Sequence, residues 1–374
     1  DITPTYSGPV WWVSTTGNDD TGDGGTGKPF KSLKHAIGHV TPGDTVMLKK
    51  GTYTGSDNRG IELTTNSTID FANLKNVVIT SEEGAANTII HANDQDRHFT
   101  ISGNSSKTID STFQFIGLTF TGGKRTDHSG SFFIRTETYY DNNVNNNRAF
   151  LMQPKFTDCV FKDNQVINTN YGGYGGAFWI ENAAPIFESC VFDSNYANAG
   201  GGAINAGGGS NTYRDTLWIR NSTFKNNWVD DANVINNTNV RGGAIWLDHG
   251  MNIIIDKSTF QNNSAVQINA NHGLDGGAIA VEGSWDTQVK TMIYISNSRF
   301  TKNEVRHENE GSSHGGAIHI GAPFTMTNTL IDSNKAGVTS GQGGNRGHGG
   351  GLYIYINSKW DDQTQTQVKG AAYL

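Results

Sequence analysis

The sequence predicts an all-β chain wound as a parallel β-solenoid, and three observations predict it. Gly242-Gly243-Ala244-Ile245-Trp246-Leu247 has close copies beginning at Gly175, Gly201, Gly276, Gly315 and Gly349. Between the copies a Phe is followed three residues later by Asn, at Phe161/Asn164, Phe192/Asn195, Phe224/Asn227, Phe260/Asn263 and Phe300/Asn303, with Ile331/Asn334 closing the series. Successive Asn residues lie 31, 32, 36, 40 and 31 apart, a period that marks stacked structural units. Hydrophobicity within each copy alternates with period two, and no stretch inside the repeats carries a helical apolar period.

Taken in order, Val10-Trp11-Trp12-Val13 reads as a short strand followed by the loop 17–25. Leu33, Ala36, Ile37 and Val40 then recur at helical spacing with Ser32 as N-cap, and Pro42-Gly43-Asp44 ends that segment. Thr45-Val46-Met47-Leu48 is expected to start the first coil, so that 1–50 is a cap plus first coil and 51–123 holds degenerate coils. Residues 124–150 break the pattern and read as an inserted loop with its own short strand at Phe132-Phe133-Ile134. The regular coils span 151–357. The stretch 358–374 shows no polar cap and reads as a linker or the start of a further coil, which predicts that the native chain continues past Leu374. The whole of 1–374 is read as one solenoid domain, and a start at Asp1 rather than Met as a processed or trimmed product.

Alternating GGA[ILV] and FxxN runs resemble the repeats of the polymorphic outer-membrane proteins of chlamydiae and their bacterial relatives. The resemblance covers roughly 156–354 and implies a right-handed parallel β-helix of the pectate-lyase-like superfamily, which holds adhesins, lyases and hydrolases alike. The opening stretch resembles the N-terminal cap of many secreted β-helix proteins, where a short helix covers the open end and blocks edge-to-edge stacking. An extracellular or cell-surface location follows from the same resemblance.

Composition excludes some partners. A net charge of −7 argues against nucleic acid, which selects a basic face, and no run reaches the length of a membrane-spanning helix. Asp19, Asp20 and Asp23 are the weak candidates for calcium, against a plain polar turn, because the spacing lacks a full ligand set with its closing Glu. No other cofactor is implied. Cys159 and Cys190 share one repeat position with Ser222, Ser258, Ser298 and Thr329. They are therefore either an inward ladder of small side chains or a disulfide between adjacent coils. Acceptor sequences for N-glycosylation begin at Asn66, Asn104, Asn221, Asn236 and Asn262. The Asn column reads as a stacked amide ladder, and the Phe column as core.

Outward columns carry the candidate chemistry. Before the glycines stand Tyr174, Gly200, Arg241, Asp275, His314 and His348; two after the Ala stand Trp179, Asn205, Trp246, Ala280, His319 and Tyr353; two further stand Glu181, Gly207, Asp248, Glu282, Gly321 and Tyr355. An aromatic row beside an acidic row suits sugar rings, whose C–H faces stack while their hydroxyls hydrogen-bond. Trp179, Trp246, His319, Tyr353 and Glu181 are the expected glycan contacts. A glycosidase pair would be Asp248 with Glu282, and a uronate lyase would use Arg241, His314 and His348. The expectation is a surface module that binds a polysaccharide, glycoconjugate or host or neighbouring surface without catalysis, with end-to-end or lateral assembly open to it. The alternative is a uronate lyase or glycoside hydrolase.

Overall fold

In the computed structural model the described residues are 9–67, 69–143, 146–207, 212–213, 216–235, 239–248, 251–269, 274–282, 292–308, 312–338, 346–354, 359–361 and 366–368. They form a parallel β-helix built from stacked coils. Each regular coil contributes one strand to each of four parallel sheets, visited in the order I, II, IV, III. Sheet I has ten strands from Val10–Val13 to Phe324–Thr327, and sheet II nine from Gly51–Tyr53 to Leu330–Asp332. Sheet III has nine from Ile61–Leu63 to Leu352–Ile354, and sheet IV seven from Lys124–Arg125 to Lys335–Val338.

Three left-handed corners close a coil. Between sheets I and II stand Asp158, Ser189, Asn221, Lys257, Asn297 and Asn328; between II and IV stand Asp163, Ser194, Asn226, Asn262, Lys302 and Ser333; all have φ between 45° and 57°. Ahead of sheet III the first glycine of each GGA copy takes the same region, Gly242 at φ 62°. A Cβ on Gly242 would lie on the Ile245 carbonyl oxygen, and one on Gly243 would lie on the Gly277 carbonyl of the next coil. This explains why the pair recurs: the first glycine serves the turn and the second the close approach of coils.

Register is strict. Phe178, Ile204, Ile245, Ile279, Ile318 and Leu352 are direct ladder partners, and all but Leu352 are fully buried. On sheet II the rings of Phe192, Phe224, Phe260 and Phe300 stack at 4.3, 4.7 and 4.6 Å within 6° of parallel. The Asn column is a continuous buried ladder. Asn227 Nδ2 donates to Asn263 Oδ1 (2.9 Å) and to the Phe192 carbonyl (3.0 Å), while its Oδ1 accepts from Asn195 Nδ2 and the Asn195 backbone N–H. The same pattern runs from Asn164 to Asn334. Both cysteines are free thiols. Each donates to a backbone carbonyl, and the column continues through Ser222, Ser258 and Ser298. Burial pushes the Cys159 thiol up to about 12. The small-side-chain ladder, not the bridge, is what the structure contains.

Several boundaries differ from expectation. Val10–Val13 pairs in parallel with Thr45–Leu48, so the first coil begins at Val10 rather than Thr45. The stretch read as an inserted loop is mostly coil. Lys124–Arg125 lies in sheet IV, and Phe132–Thr136 pairs on both sides with Phe99–Gly103 and Phe178–Glu181. Only the antiparallel hairpin of Thr138–Asp141 and Asn146–Ala149 leaves the ladder. Lys359–Asp361 pairs antiparallel with Thr366–Val368 instead of adding to a sheet; the rest of 358–374, with Tyr355 and the Asn236 acceptor site, lies outside the described residues. The helix Leu33–Ile37 starts where expected, with Ser32 Oγ accepting from His35 N–H, and its buried Leu33, Ala36 and Ile37 join the core. No helix among the described residues is long and apolar enough to cross a membrane.

Two stability outcomes follow. Asn227→Ala strips four buried partners at once, each costing about 1–3 kcal/mol when left unpaired. It should lower unfolding free energy by about 3 kcal/mol or more in urea titration, and an unshifted midpoint would show the ladder is dispensable. His98, buried with Nε2 donating to the Ile90 carbonyl and Nδ1 accepting from Ser131 Oγ, has its pKa pushed down to about 3 by burial. Between pH about 6.5 and that value the unfolded chain binds the extra proton. His98 therefore makes stability fall on acidification by about 1.4 kcal/mol per pH unit. Urea midpoints from pH 7 to pH 4 should show this slope in the wild type and a flatter one in His98→Gln.

Candidate functional site

Because each GGA coil starts sheet III from the same glycine corner, residues flanking the glycines are carried into straight outward columns. The pre-glycine column pairs Tyr174 with Gly200, Arg241 and Asp275, then His314 and His348. The second column runs Trp179, Asn205, Trp246, Ala280, His319, Tyr353 in direct register. Glu181 pairs with Gly207, and Asp248 N–H bonds to the Ala206 carbonyl as Glu282 N–H bonds to that of Leu247, which extends the third column.

Side chains on these columns meet across coils. The Trp246 ring lies over Gly200, leaving no room there for a Cβ, and contacts Tyr174 at 5.2 Å. Arg241 sits over the Trp246 ring at 5.7 Å, forms an ion pair with Glu282, and approaches Asp275 Oδ2 at 3.5 Å. Asp275 Oδ1 is shared by His314 Nδ1 at 3.0 Å and His319 Nδ1 at 2.9 Å. Burial alone would raise the Asp275 pKa. The two imidazole hydrogen bonds and the Arg241 charge outweigh it and hold the carboxyl below the usual range. An ionised carboxylate only accepts, so both imidazoles carry their proton on Nδ1. Tyr353 stacks on His314 at 4.5 Å and meets His319 edge-on at 5.3 Å, and His348 stacks on His314 at 5.4 Å. Trp246 Nε1 and Asn205 Nδ2 are buried donors with no hydrogen-bond partner among the described residues.

The columns begin earlier than the sequence showed. His128 pairs with Tyr174, and Phe133 with Trp179. The His128 and Trp179 rings lie 3.9 Å apart, and Phe133 meets Trp179 edge-on at 4.7 Å. Arg97 stands over Phe133 at 5.0 Å and makes two 2.8 Å bonds to Asp127, which Arg125 also grips. Burial would raise the Asp127 pKa, but the Arg125 hydrogen bond and the Arg97 charge hold it well below the carboxylate range. The signal was present, since Ser129-Gly130-Ser131-Phe132-Phe133-Ile134 matches Gly175-Gly176-Ala177-Phe178-Trp179-Ile180 position by position. Serine for glycine and alanine concealed it. Glu181 borders a cleft of about 390 Å³ with Arg135, Thr136, Glu137, Thr138 and Asn182.

The expected calcium residues do not converge. Asp19 Oδ1 accepts from the backbone N–H groups of Lys31 and Ser32, and Asp23 Oδ1 from that of Gly25. Among the described residues no group of three or more His, Cys, Asp or Glu side chains is placed to hold a metal ion. Of the expected enzyme residues, Arg241 and His314 meet at Asp275 and Glu282 joins them through Arg241, while Asp248 lies a coil before Glu282 on the third column.

No family model matches the chain, and no curated protein matches it. Among solved structures, pectate lyase Pel9A is similar at 13% identity over 91% of this chain and 80% of that chain, with a TM-score of 0.35. The GH136 lacto-N-biosidase from Eubacterium ramulus is similar at 12% identity over 92% and 68%, with a TM-score of 0.32. A rhamnogalacturonan lyase is similar at 12% over 93% and 84%, with a TM-score of 0.26.

The shared acceptor has a spectroscopic consequence. Nitrogen-15 imidazole spectra at mildly alkaline pH should show His314 and His319 as Nδ1–H tautomers, and Asp275→Ala should return both to a tautomer mixture. An Nε2–H signature in the wild type would mean that Asp275 does not orient them.

Proposed function

We propose that the outer face of sheet III binds a glycan chain laid along the helix axis and holds it without turnover. One observation carries the reading: the aromatic row from Phe133 and Trp179 through Trp246 to His319 and Tyr353 is in strict ladder register. Adjacent coils lie about 4.8 Å apart, so Trp179, Trp246 and His319, each two coils from the next, recur along the axis at a regular interval that suits a repeating chain of pyranose rings. Polar groups flank the row throughout.

Binding is favoured over hydrolysis because two carboxylates of this face, Glu282 and Asp275, are already committed. Glu282 is paired with Arg241, and Asp275 serves two histidines, whereas a glycosidase needs one carboxyl free to protonate and another free to attack or to activate water. The finer expectations belong to the same proposal. They are a right-handed helix with polymorphic outer-membrane-protein-like repeats, the Leu33–Ile37 helix covering its first end, a secreted or cell-surface setting, and an adhesin's role toward glycans or a neighbouring surface, with assembly between copies. The enzyme reading has one observation in its favour: a carboxylate orienting an imidazole is the arrangement of a general base, and Asp275 with His314 provides it.

Calorimetric titration with defined neutral and uronic oligosaccharides separates the two. Trp246→Ala should weaken binding by about 1–2 kcal/mol, and prolonged incubation with the matching polysaccharides should yield neither unsaturated products nor new reducing ends. Depolymerisation that disappears in Glu282→Gln or His314→Ala would replace the binding reading with the enzyme.

A further inference from the structure

Sheet IV turns a separate outward face to solvent, and its chemistry is not used by the sheet III row. Inward it contributes Ala197, Val229, Ala265 and Val305 to a small second core with Val240 and Leu274. Outward, the ladder runs Gln165, Tyr196, Trp228, Ser264, Glu304, Lys335. Tyr196 and Trp228 stack at 4.9 Å with 30° between their planes. The lower ring is anchored, because Tyr196 Oη donates to Asp230 Oδ1 at 3.0 Å. The upper ring is 37% exposed.

What stands beyond the indole matters more than the pair itself. The next residue in its column is Ser264, too small to cover the ring, and the next large one is Glu304, two coils or about 10 Å further on. In the adjacent outward column Asp230 is followed by Val266 and then Arg306. The result is a step two coils deep, with the Trp228 indole on one side, the Ser264 hydroxyl at the back, and Glu304 and Arg306 on the other. Arg306 Nη2 pairs with Glu308 at 3.3 Å, while its buried Nε has no hydrogen-bond partner among the described residues. On the far side of Glu304 and Arg306 a cleft of about 410 Å³ continues the groove past Asn334 and Lys335.

We propose that this step is a second saccharide site, taking one pyranose of a chain with its apolar face on Trp228 and its hydroxyls on Ser264, Glu304 and Arg306. The occupant follows from the chemistry. A flat apolar partner alone would make no use of the Glu304 carboxylate and the Arg306 guanidinium on the opposite side, and a purely ionic partner would leave the indole unused. A pyranose presents a C–H face and a rim of hydroxyls that donate to a carboxylate and accept from a guanidinium. A stacked, hydrogen-bond-anchored platform costs little conformational entropy to use, which favours binding there. The proposal does not depend on the sheet III row, because no side chain is shared between them.

The test is calorimetric titration of the full chain with a panel of neutral and uronic hexasaccharides, in the wild type and in the Trp246→Ala background. Saccharide binding should survive Trp246→Ala in part, and adding Trp228→Ala should weaken what remains about five- to tenfold. Ser264→Leu, which fills the step and leaves the indole in place, should produce the same loss, so the result does not rest on the fold tolerating one variant. If Trp246→Ala has no effect while Trp228→Ala and Ser264→Leu do, the sheet III reading fails and this site stands. If no member of the panel binds, or if binding is indifferent to both sheet IV variants, the site is overturned.

Discussion

Everything on the outside of this molecule depends on a buried amide. Each coil turns from sheet II to sheet IV through a left-handed residue, and the Asn that follows stands inside the corner. Its two amide hydrogens go to the next Asn and to the Phe carbonyl of the preceding coil, and its oxygen takes the backbone N–H and amide of the preceding Asn. No other side chain of that size offers two donors and a double acceptor in one plane. A shift of one coil by one residue would break every bond of that rung and expose its Phe. The ladder therefore sets the register, and the register sets which outward side chains share a column.

That dependence explains what was legible. The Asn column is visible in the sequence because Asn alone satisfies that buried position, the Phe column because a large apolar side chain recurs at a fixed offset from it, and the paired glycines because no Cβ fits at Gly242 or Gly243. Outward alignment then followed by counting, and Trp179, Trp246, His319 and Tyr353 do lie in one row. Where a substitute serves, the count fails. Serine takes the left-handed φ at Ser129, so the coil through Phe132 passed for an insertion and took with it His128, Phe133 and the Arg97–Asp127 pair. The Tyr196–Trp228 platform escaped for a different reason. Sheet IV strands are as short as two residues and carry no motif of their own.

Pairing between outward side chains of different columns was not legible, because it depends on which rotamers reach across coils. Arg241 meets Asp275 of its own column but also Glu282 two columns away in the same next coil, and Asp275 meets both His314 of its own column and His319 of the neighbouring one. Column membership predicts the neighbours along the axis, while the contacts to Glu282 and His319 run diagonally. Long side chains such as Arg span that diagonal readily.

The same geometry limits how such a surface carries function. In a parallel in-register stack, equivalent charges stand about 4.8 Å apart, where like charges repel and opposite ones attract. The columns show the consequence: Lys162, Asp193 and Lys225 alternate on sheet II with Lys225 paired to Asp193, and Arg241 precedes Asp275 on the sheet III face. An ionisable residue on this solenoid therefore tends to be neutralised by its own scaffold. Aromatic rings face no such constraint. Stacked at the coil spacing they stabilise one another, and wherever the next coil carries a small residue, as Ser264 does after Trp228, the outer ring keeps a free face. The stacking that fixes the scaffold thus neutralises charges along a column while leaving an aromatic ring at the end of a stack open on one side.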